Sequence, residues 1–167
     1  GNDKSLVTDK DYEYPAKSIG HGITLKKDLV NDREVLHILQ ILALKITKRL
    51  IESGFQARGV YVSVRDCELK KTRFQALFTY PTMSSIEFVK KAMQLFKKNY
   101  KWQKSIRSIR IKAINLVDSN RNIQLQFFEN FKNHKKMEDL DRTIYAIKKK
   151  FGDKAITFAG LKEDTKM

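Results

Sequence analysis

The spacing of apolar residues changes several times along the chain, and this succession restricts the possible folds more than any other feature. Two stretches, at 31–53 and 84–98, repeat apolar residues every three or four positions, as amphipathic helices do. Two others, at 56–66 and 70–80, alternate apolar and polar residues, as half-buried strands do. Shorter strand-like stretches lie at 17–25 and 106–116. The order strand–helix–strand–strand–helix–strand predicts an α+β domain, a βαββαβ sheet with two helices on one face.

The flanking segments have a different character, and they predict a division into three parts. Residues 1–16 are polar and aperiodic and are interpreted as a tether, whereas 17–118 form the sheet domain. Residues 119–167 are interpreted as a C-terminal tail with one more helix, in whose first turns Glu138, Asp139 and Asp141 would lie. The missing start methionine leads us to expect a piece of a longer chain.

Local signals define the helix ends. Asn31 with Glu34, and Ser84 with Glu87, each have the spacing of a capping box, in which the first residue caps the helix. His134 lies in a lysine-rich stretch and is expected to be a surface residue.

The charge balance narrows the function classes. The 167 residues carry 34 Lys and Arg against 19 Asp and Glu, a formal net charge of +15. Such an excess repels itself and suits a polyanionic partner. A single cysteine excludes an internal disulfide, and no apolar run is long enough to span a membrane. We therefore expect a cytoplasmic protein with no membrane partner.

The positive charge is concentrated, because no acidic residue occurs between Glu87 and Asp118. If the helices cover the apolar face of the sheet, strand alternation places a polar, basic set on the other face. That set would follow DNA phosphates without reading bases. Its members are Tyr61, Ser63, Arg65, Arg73, Arg110 and Lys112.

No catalytic constellation is visible in the sequence. The three histidines and one cysteine lack metal-ligand spacing, and no phosphate-binding loop or nucleophile elbow occurs. Asp66 and Glu68 flank a hairpin tip and are interpreted as turn residues. The chain is therefore expected to be non-catalytic and to hold no cofactor.

Three segments resemble a known family. The segment Lys17-Ser18-Ile19-Gly20-His21-Gly22-Ile23-Thr24-Leu25 resembles the opening of the little-finger domain of Y-family translesion DNA polymerases, in the UmuC/DinB-like ImpB/MucB/SamB group. Ile106-Arg107-Ser108-Ile109-Arg110-Ile111 resembles the closing strand of that domain. Leu140-Asp141 and the run Lys148-Lys149-Lys150-Phe151-Gly152 resemble the UmuC-like tail.

This resemblance implies a function in bacterial DNA damage repair and the SOS response, with the little finger gripping the backbones of primer and template. The catalytic domains and their Mg²⁺ would lie in the missing upstream part. Ser18, Gly20, Gly22 and Thr24 would be backbone-contact positions, and Arg107 would contact a phosphate.

A second partner is implied by Gln124-Leu125-Gln126-Phe127-Phe128. This segment resembles the Q-L-x-L-F peptide by which bacterial polymerases bind the β sliding clamp. Gln124 would form hydrogen bonds, and Leu125, Phe127 and Phe128 would provide the apolar contacts. The other interpretation is an ordinary strand.

Other function classes stay open from the residues alone. An RRM-like RNA-binding module has a compatible element order, and Arg58-Gly59-Val60-Tyr61-Val62 begins like its basic-Gly-aromatic stretch, but the stacking aromatics are missing. A protein-interaction adaptor would explain the tail but not the acid-free stretch. A nuclease is the least favoured class, because no carboxylate group can be placed.

Overall fold

Strands and helices follow the predicted order. The computed structural model describes residues 16–119 and 129–156. Its elements are β1 Ser18–Leu29, α1 Asp32–Ser53, β2 Phe55–Asp66, β3 Lys71–Thr82, α2 Ser85–Asn99, β4 Ile106–Asp118 and α3 Glu129–Phe151. The predicted clamp residues Gln124, Leu125, Phe127 and Phe128, and all of the predicted tether except its last residue, lie outside the described residues.

The four strands form one antiparallel sheet in the order β1-β4-β2-β3, so the glycine-containing β1 is at an edge. α1 and α2 pack on one face of the sheet, which confirms the α+β class. The strand residues that face these helices are buried: Val60, Val62, Val64, Ile109, Ile111 and Ala113. At about 1.5–3 kcal/mol for each large aliphatic side chain, this burial fixes which side of each strand faces inward.

The ends of α1 form as the sequence predicts. The side chain of Asn31 accepts a hydrogen bond from the backbone N–H of Glu34 at 2.9 Å. Glu34 in turn accepts one from the backbone N–H of Val30 at 2.8 Å. Gly54 ends the helix with a positive φ of 67°, a conformation that glycine adopts without a steric penalty.

The predicted capping box of α2 is wrong. Ser84 precedes the helix, but its side chain makes no capping hydrogen bond within it. The N-terminus of α2 is capped instead by the buried carboxylate of Asp141 in α3. Asp141 accepts hydrogen bonds from the Ser84 hydroxyl at 3.0 Å, the Ser85 backbone N–H at 2.9 Å and the Ser85 hydroxyl at 2.6 Å. A negative charge at a helix N-terminus also interacts favourably with the helix dipole.

The expected start of α3 is also wrong, since the helix begins at Glu129 and the acidic residues lie in its middle. Two large apolar residues of α3, Leu140 and Phe151, are exposed. The contact of α3 with the domain is largely polar. Glu138 accepts hydrogen bonds from the Met83 backbone N–H at 3.0 Å and from the Gln56 side chain at 3.0 and 3.1 Å.

His134 is not a surface residue, because it is buried in α3, 6% exposed, between two carboxylates. Its Nδ1 lies 2.9 Å from Glu87, and its Nε2 lies 3.7 Å from Glu138. Burial opposes protonation of this ring, but the hydrogen bond with Glu87 and the two negative charges outweigh burial and raise the pKa of His134.

Replacing Asp141 tests the cap supplied by α3. Asp141→Ala leaves two hydroxyls and one backbone N–H at the start of α2 without their acceptor. We expect it to lower the free energy of unfolding by about 2 kcal/mol, measured by urea denaturation. Asp139→Ala removes an equal charge from an exposed position of the same helix and should change stability by less than about 0.5 kcal/mol. Equal effects of the two variants would contradict the capping role.

Replacing His134 tests the buried ion pair through its pH dependence. Because the pKa of His134 is raised by folding, the stabilisation is complete below about pH 6.5 and is lost as pH rises through the folded-state pKa. The stability difference between the wild type and His134→Gln should therefore be larger near pH 6 than near pH 8.5, as measured by urea midpoints. A difference that stays constant across this range would exclude a charged His134.

Candidate nucleic-acid interface

The sheet face opposite α1 and α2 carries the predicted basic residues, and the strand register brings them together. Arg110 in β4 lies between Gly22 of β1 and Ser63 of β2. Lys112 lies between Gly20 and Tyr61 in the same way. The same cross-strand rows continue into β3, where Arg73 is opposite Ser63.

A shallow depression of about 380 Å³ lies across this face. It is lined by eight of the eleven residues that the sequence predicts for DNA binding: Gly22, Thr24, Tyr61, Ser63, Arg65, Arg73, Arg110 and Lys112. Lys71 and Ser108 also line it and were missed by the sequence reasoning. We call these ten residues the basic sheet face. The alternation of side chains along a strand could have identified these two residues, because residues two positions apart lie on the same face of a sheet. Lys71 therefore lies on the face of Arg73, and Ser108 lies on the face of Arg110.

The two glycines of β1 make room for the central cations. A Cβ added at Gly20 would lie 2.6 Å from Cγ of Lys112. One added at Gly22 would lie 3.0 Å from Cβ and 3.1 Å from Nε of Arg110. The side chains of Lys112 and Arg110 therefore lean across the edge strand, and any larger residue there would displace them.

Electrostatic repulsion is built into this surface. Arg65 and Lys71 are direct cross-strand neighbours, and Ser63 is flanked by Arg73 and Arg110. Like charges opposite one another destabilise a sheet. No acidic residue occurs in the strand segments 18–24, 59–65, 71–77 and 106–114. The surface is therefore complementary to a polyanion.

Individual groups show how such a partner would be held. The Nζ of Lys112 lies 5.5 Å from the centre of the Tyr61 ring, which positions the ammonium group. The Nε of Arg65 has no hydrogen-bond partner among the described residues. A buried donor without a partner is costly, so an anionic oxygen that accepted from it would bring a gain.

Three predicted residues lie outside the depression. Ser18 and Gly20 are further along β1, where Ser18 is paired with Ile114. Arg107 lies where the strand pairing shifts, and its Nε is 2.5 Å from a carboxylate oxygen of Asp28. Because the Asp28 carboxylate offsets the positive charge of Arg107, it would weaken the attraction of Arg107 for a phosphate.

Asp66, Val60 and Val62 contribute to the fold and not to the basic sheet face. Asp66 accepts hydrogen bonds from the backbone N–H groups of Glu68 and Lys70, each at 2.9 Å, which confirms its interpretation as a turn residue. Val60 and Val62 are fully buried on the helix side. They therefore cannot supply the stacking surface that an RRM-like module needs.

The described residues form neither a metal-binding cluster nor a membrane-spanning helix. Within residues 16–119 and 129–156, no three His, Cys, Asp or Glu side chains converge as a metal site would require. None of the helices in these two ranges is both long enough and apolar enough to cross a membrane.

Solved structures place this fold in the little-finger class. A little-finger domain of PolIV, solved in complex with the β-clamp processivity factor, matches with a TM-score of 0.50 at 11% identity, over 67% of this chain and 97% of that one. A Y-family DNA polymerase chimera matches with a TM-score of 0.54 at 16% identity, over 67% of this chain and 32% of that one.

Sequence comparison then gives the family. Residues 16–127 match the impB/mucB/samB family C-terminal domain, and the chain belongs to this family. It is 31% identical over 152 residues to DNA polymerase IV of Acetivibrio thermocellus, 91% of this chain and 38% of that protein. It is 32% identical over 159 residues to DNA polymerase IV 2 of Halalkalibacterium halodurans, 93% of this chain and 37% of that protein. The chain thus spans little more than a third of the length of these relatives.

Proposed function

We propose that this chain is the DNA-gripping C-terminal part of a bacterial Y-family translesion DNA polymerase acting in DNA damage tolerance. The observation that carries the proposal is the basic sheet face, which gathers cations from three strands, β2, β3 and β4, beside the glycine-containing β1. The similarity to DNA polymerase IV of several bacteria supports it.

The chemistry of the basic sheet face favours backbone contacts to duplex DNA over base reading. Arginine and lysine bind phosphate oxygens, and Ser63 and Ser108 add hydroxyl donors at the same level. Tyr61 is the one aromatic side chain that lines the depression, too few to stack a run of unpaired bases. Binding of this kind is independent of sequence and sensitive to salt.

Catalysis would belong to the rest of the polymerase. The relatives extend well beyond the region that this chain matches, and we assign the nucleotidyl-transfer reaction and its Mg²⁺ to that part. The role of this chain would be to hold primer and template in register with that active site.

A second contact, with the sliding clamp, is proposed for Gln124-Leu125-Gln126-Phe127-Phe128. The segment begins six residues after the last residue of β4 in the sequence, and the matching little finger of PolIV was solved in complex with a β-clamp. The clamp would tether the polymerase, while the basic sheet face would hold DNA.

Reversing charge at the centre of the basic sheet face tests DNA binding. Arg110→Glu with Lys112→Glu places carboxylates between β1 and β2, where phosphates would approach. We expect the dissociation constant for a primer–template duplex to rise by at least about tenfold, measured by fluorescence anisotropy at fixed salt.

The matched control is Lys98→Glu with Lys101→Glu, which makes the same change of net charge at exposed positions outside the basic sheet face. It should weaken binding far less. Circular dichroism melting would verify that both variants fold. Equal losses in the two variants would show that net charge alone drives binding and would remove the sheet-face interpretation.

Truncating the apolar positions of the 124–128 segment tests the clamp contact separately. Leu125→Ala with Phe128→Ala should abolish binding to a purified bacterial β-clamp in surface plasmon resonance, because two of the three apolar contacts are lost. DNA affinity should be unchanged. Gln126→Ala, at the position where the motif accepts any residue, is the control and should bind the clamp normally. Clamp binding that survives the double substitution would contradict the motif assignment.

A further inference from the structure

A second concave surface lies between α1 and α3, away from the basic sheet face. It encloses about 530 Å³ and is open to solvent along one side. Its apolar floor is formed by Ile41 and Leu44 of α1 and Ile144 of α3. We call this surface the α1–α3 groove.

The floor exists because α1 has more apolar surface than the sheet covers. The buried stripe of the helix includes Leu39, Leu42 and Ile46, which point into the core. Ile41 and Leu44 lie beside this stripe and are only half-buried. α3 crosses close to them but is attached mainly by its polar contacts with the start of α2, so it leaves the apolar strip partly uncovered.

Lysines surround this floor on both helices. Lys45 and Lys48 project from α1, and Lys148 and Lys149 project from α3. Lys48 is paired with Asp153 at 3.7 Å, whereas Lys148 and Lys149 have no carboxylate partner within residues 16–119 and 129–156.

The carboxylates at the groove already have partners. Asp141 is buried against Ser84 and Ser85 at the start of α2. Glu52 accepts a hydrogen bond from the Tyr145 hydroxyl at 3.4 Å. The groove therefore combines an apolar floor with four lysines against three carboxylates, and Lys148 and Lys149 on its rim have no carboxylate partner among the described residues.

We propose that the α1–α3 groove binds an acidic amphipathic helix of a partner protein. Such a helix would place apolar side chains at positions i, i+3 or i+4, and i+7 on the floor and its carboxylates against the lysines, which is the usual helix-in-groove mode. The apolar floor argues against nucleic acid, because a phosphate backbone has no aliphatic surface to bury there. The α1 residues that line the groove run from Ile41 to Glu52, about 17 Å along the helix axis, so the site accommodates about three turns of a partner helix.

The groove and the basic sheet face lie on different sides of the domain, so a partner and DNA could be bound together. The proposal therefore does not depend on DNA binding. Its failure and that of the proposed function can be told apart by variants on the two surfaces.

The probe is a fluorescein-labelled peptide of about 16 residues, long enough to form a helix, with leucines at helical spacing and glutamates elsewhere. A peptide of the same composition with the helical spacing scrambled is the control for simple charge attraction. Anisotropy titrations against the full chain would be carried out near physiological ionic strength. We expect the patterned peptide to bind at least about tenfold more tightly than the scrambled one, because only the patterned peptide can bury a continuous apolar stripe.

Variants then locate the site. Lys148→Glu with Lys149→Glu should weaken binding of the patterned peptide by about tenfold or more, since two attractive contacts become repulsive. Arg110→Glu with Lys112→Glu makes the same change of charge on the basic sheet face and should leave peptide binding nearly unchanged.

Four results would overturn the proposal. Equal binding of the two peptides, or equal losses in the two variants, would show non-specific attraction to a basic protein. If Lys148→Glu with Lys149→Glu binds a duplex DNA probe more weakly than the wild type does, whereas Arg110→Glu with Lys112→Glu binds it as the wild type does, the groove is a nucleic-acid site. Absence of peptide binding, together with a dimer in sedimentation velocity that Lys148→Glu with Lys149→Glu dissociates, would assign it to a second copy of the chain.

Discussion

The burial of one face of the central strands against α1 and α2 is the constraint on which the rest of the structure depends. Val60, Val62 and Val64 in β2 and Ile109, Ile111 and Ala113 in β4 point into a common core. Because side chains alternate along a strand, this burial forces the residues between them to the opposite face. The basic sheet face is thus a direct consequence of the core, and a slip of one residue in register would bury Arg110 and Lys112.

The two halves of the structure are held together by different forces. The sheet and its helices are stabilised mainly by apolar burial, whereas α3 is attached through Asp141, Glu138 and His134. Buried hydrogen bonds of this kind depend strictly on geometry, since a missing partner leaves a desolvated polar group. They specify where α3 lies without covering the apolar side of α1. That is why the fold leaves the α1–α3 groove open.

Much of the fold and of the candidate site could be predicted from local sequence patterns. The order of elements, the cap by Asn31 and the face on which Arg110 lies all follow from signals within a few residues. The failures concern long-range contacts. Ser84 looked like a self-sufficient cap, but its partner is Asp141, 57 positions away. His134 looked exposed because its neighbours in sequence are lysines, whereas its neighbours in space are Glu87 and Glu138. The ion pair between Arg107 and Asp28 joins β4 to β1 where their strand register is irregular. The residues near Arg107 in the sequence likewise give no signal of it.

The structure leads us to the proposal that the basic sheet face holds the backbone of duplex DNA without reading its sequence. Its most direct test is the anisotropy of a labelled primer–template duplex titrated with the chain at several salt concentrations. If about five phosphates are neutralised, the logarithm of the binding constant should fall with the logarithm of salt concentration at a slope near −4.5. The slope should be the same for duplexes of different sequence. Tighter binding to single-stranded RNA, or no binding to the duplex even at low salt, would contradict the account.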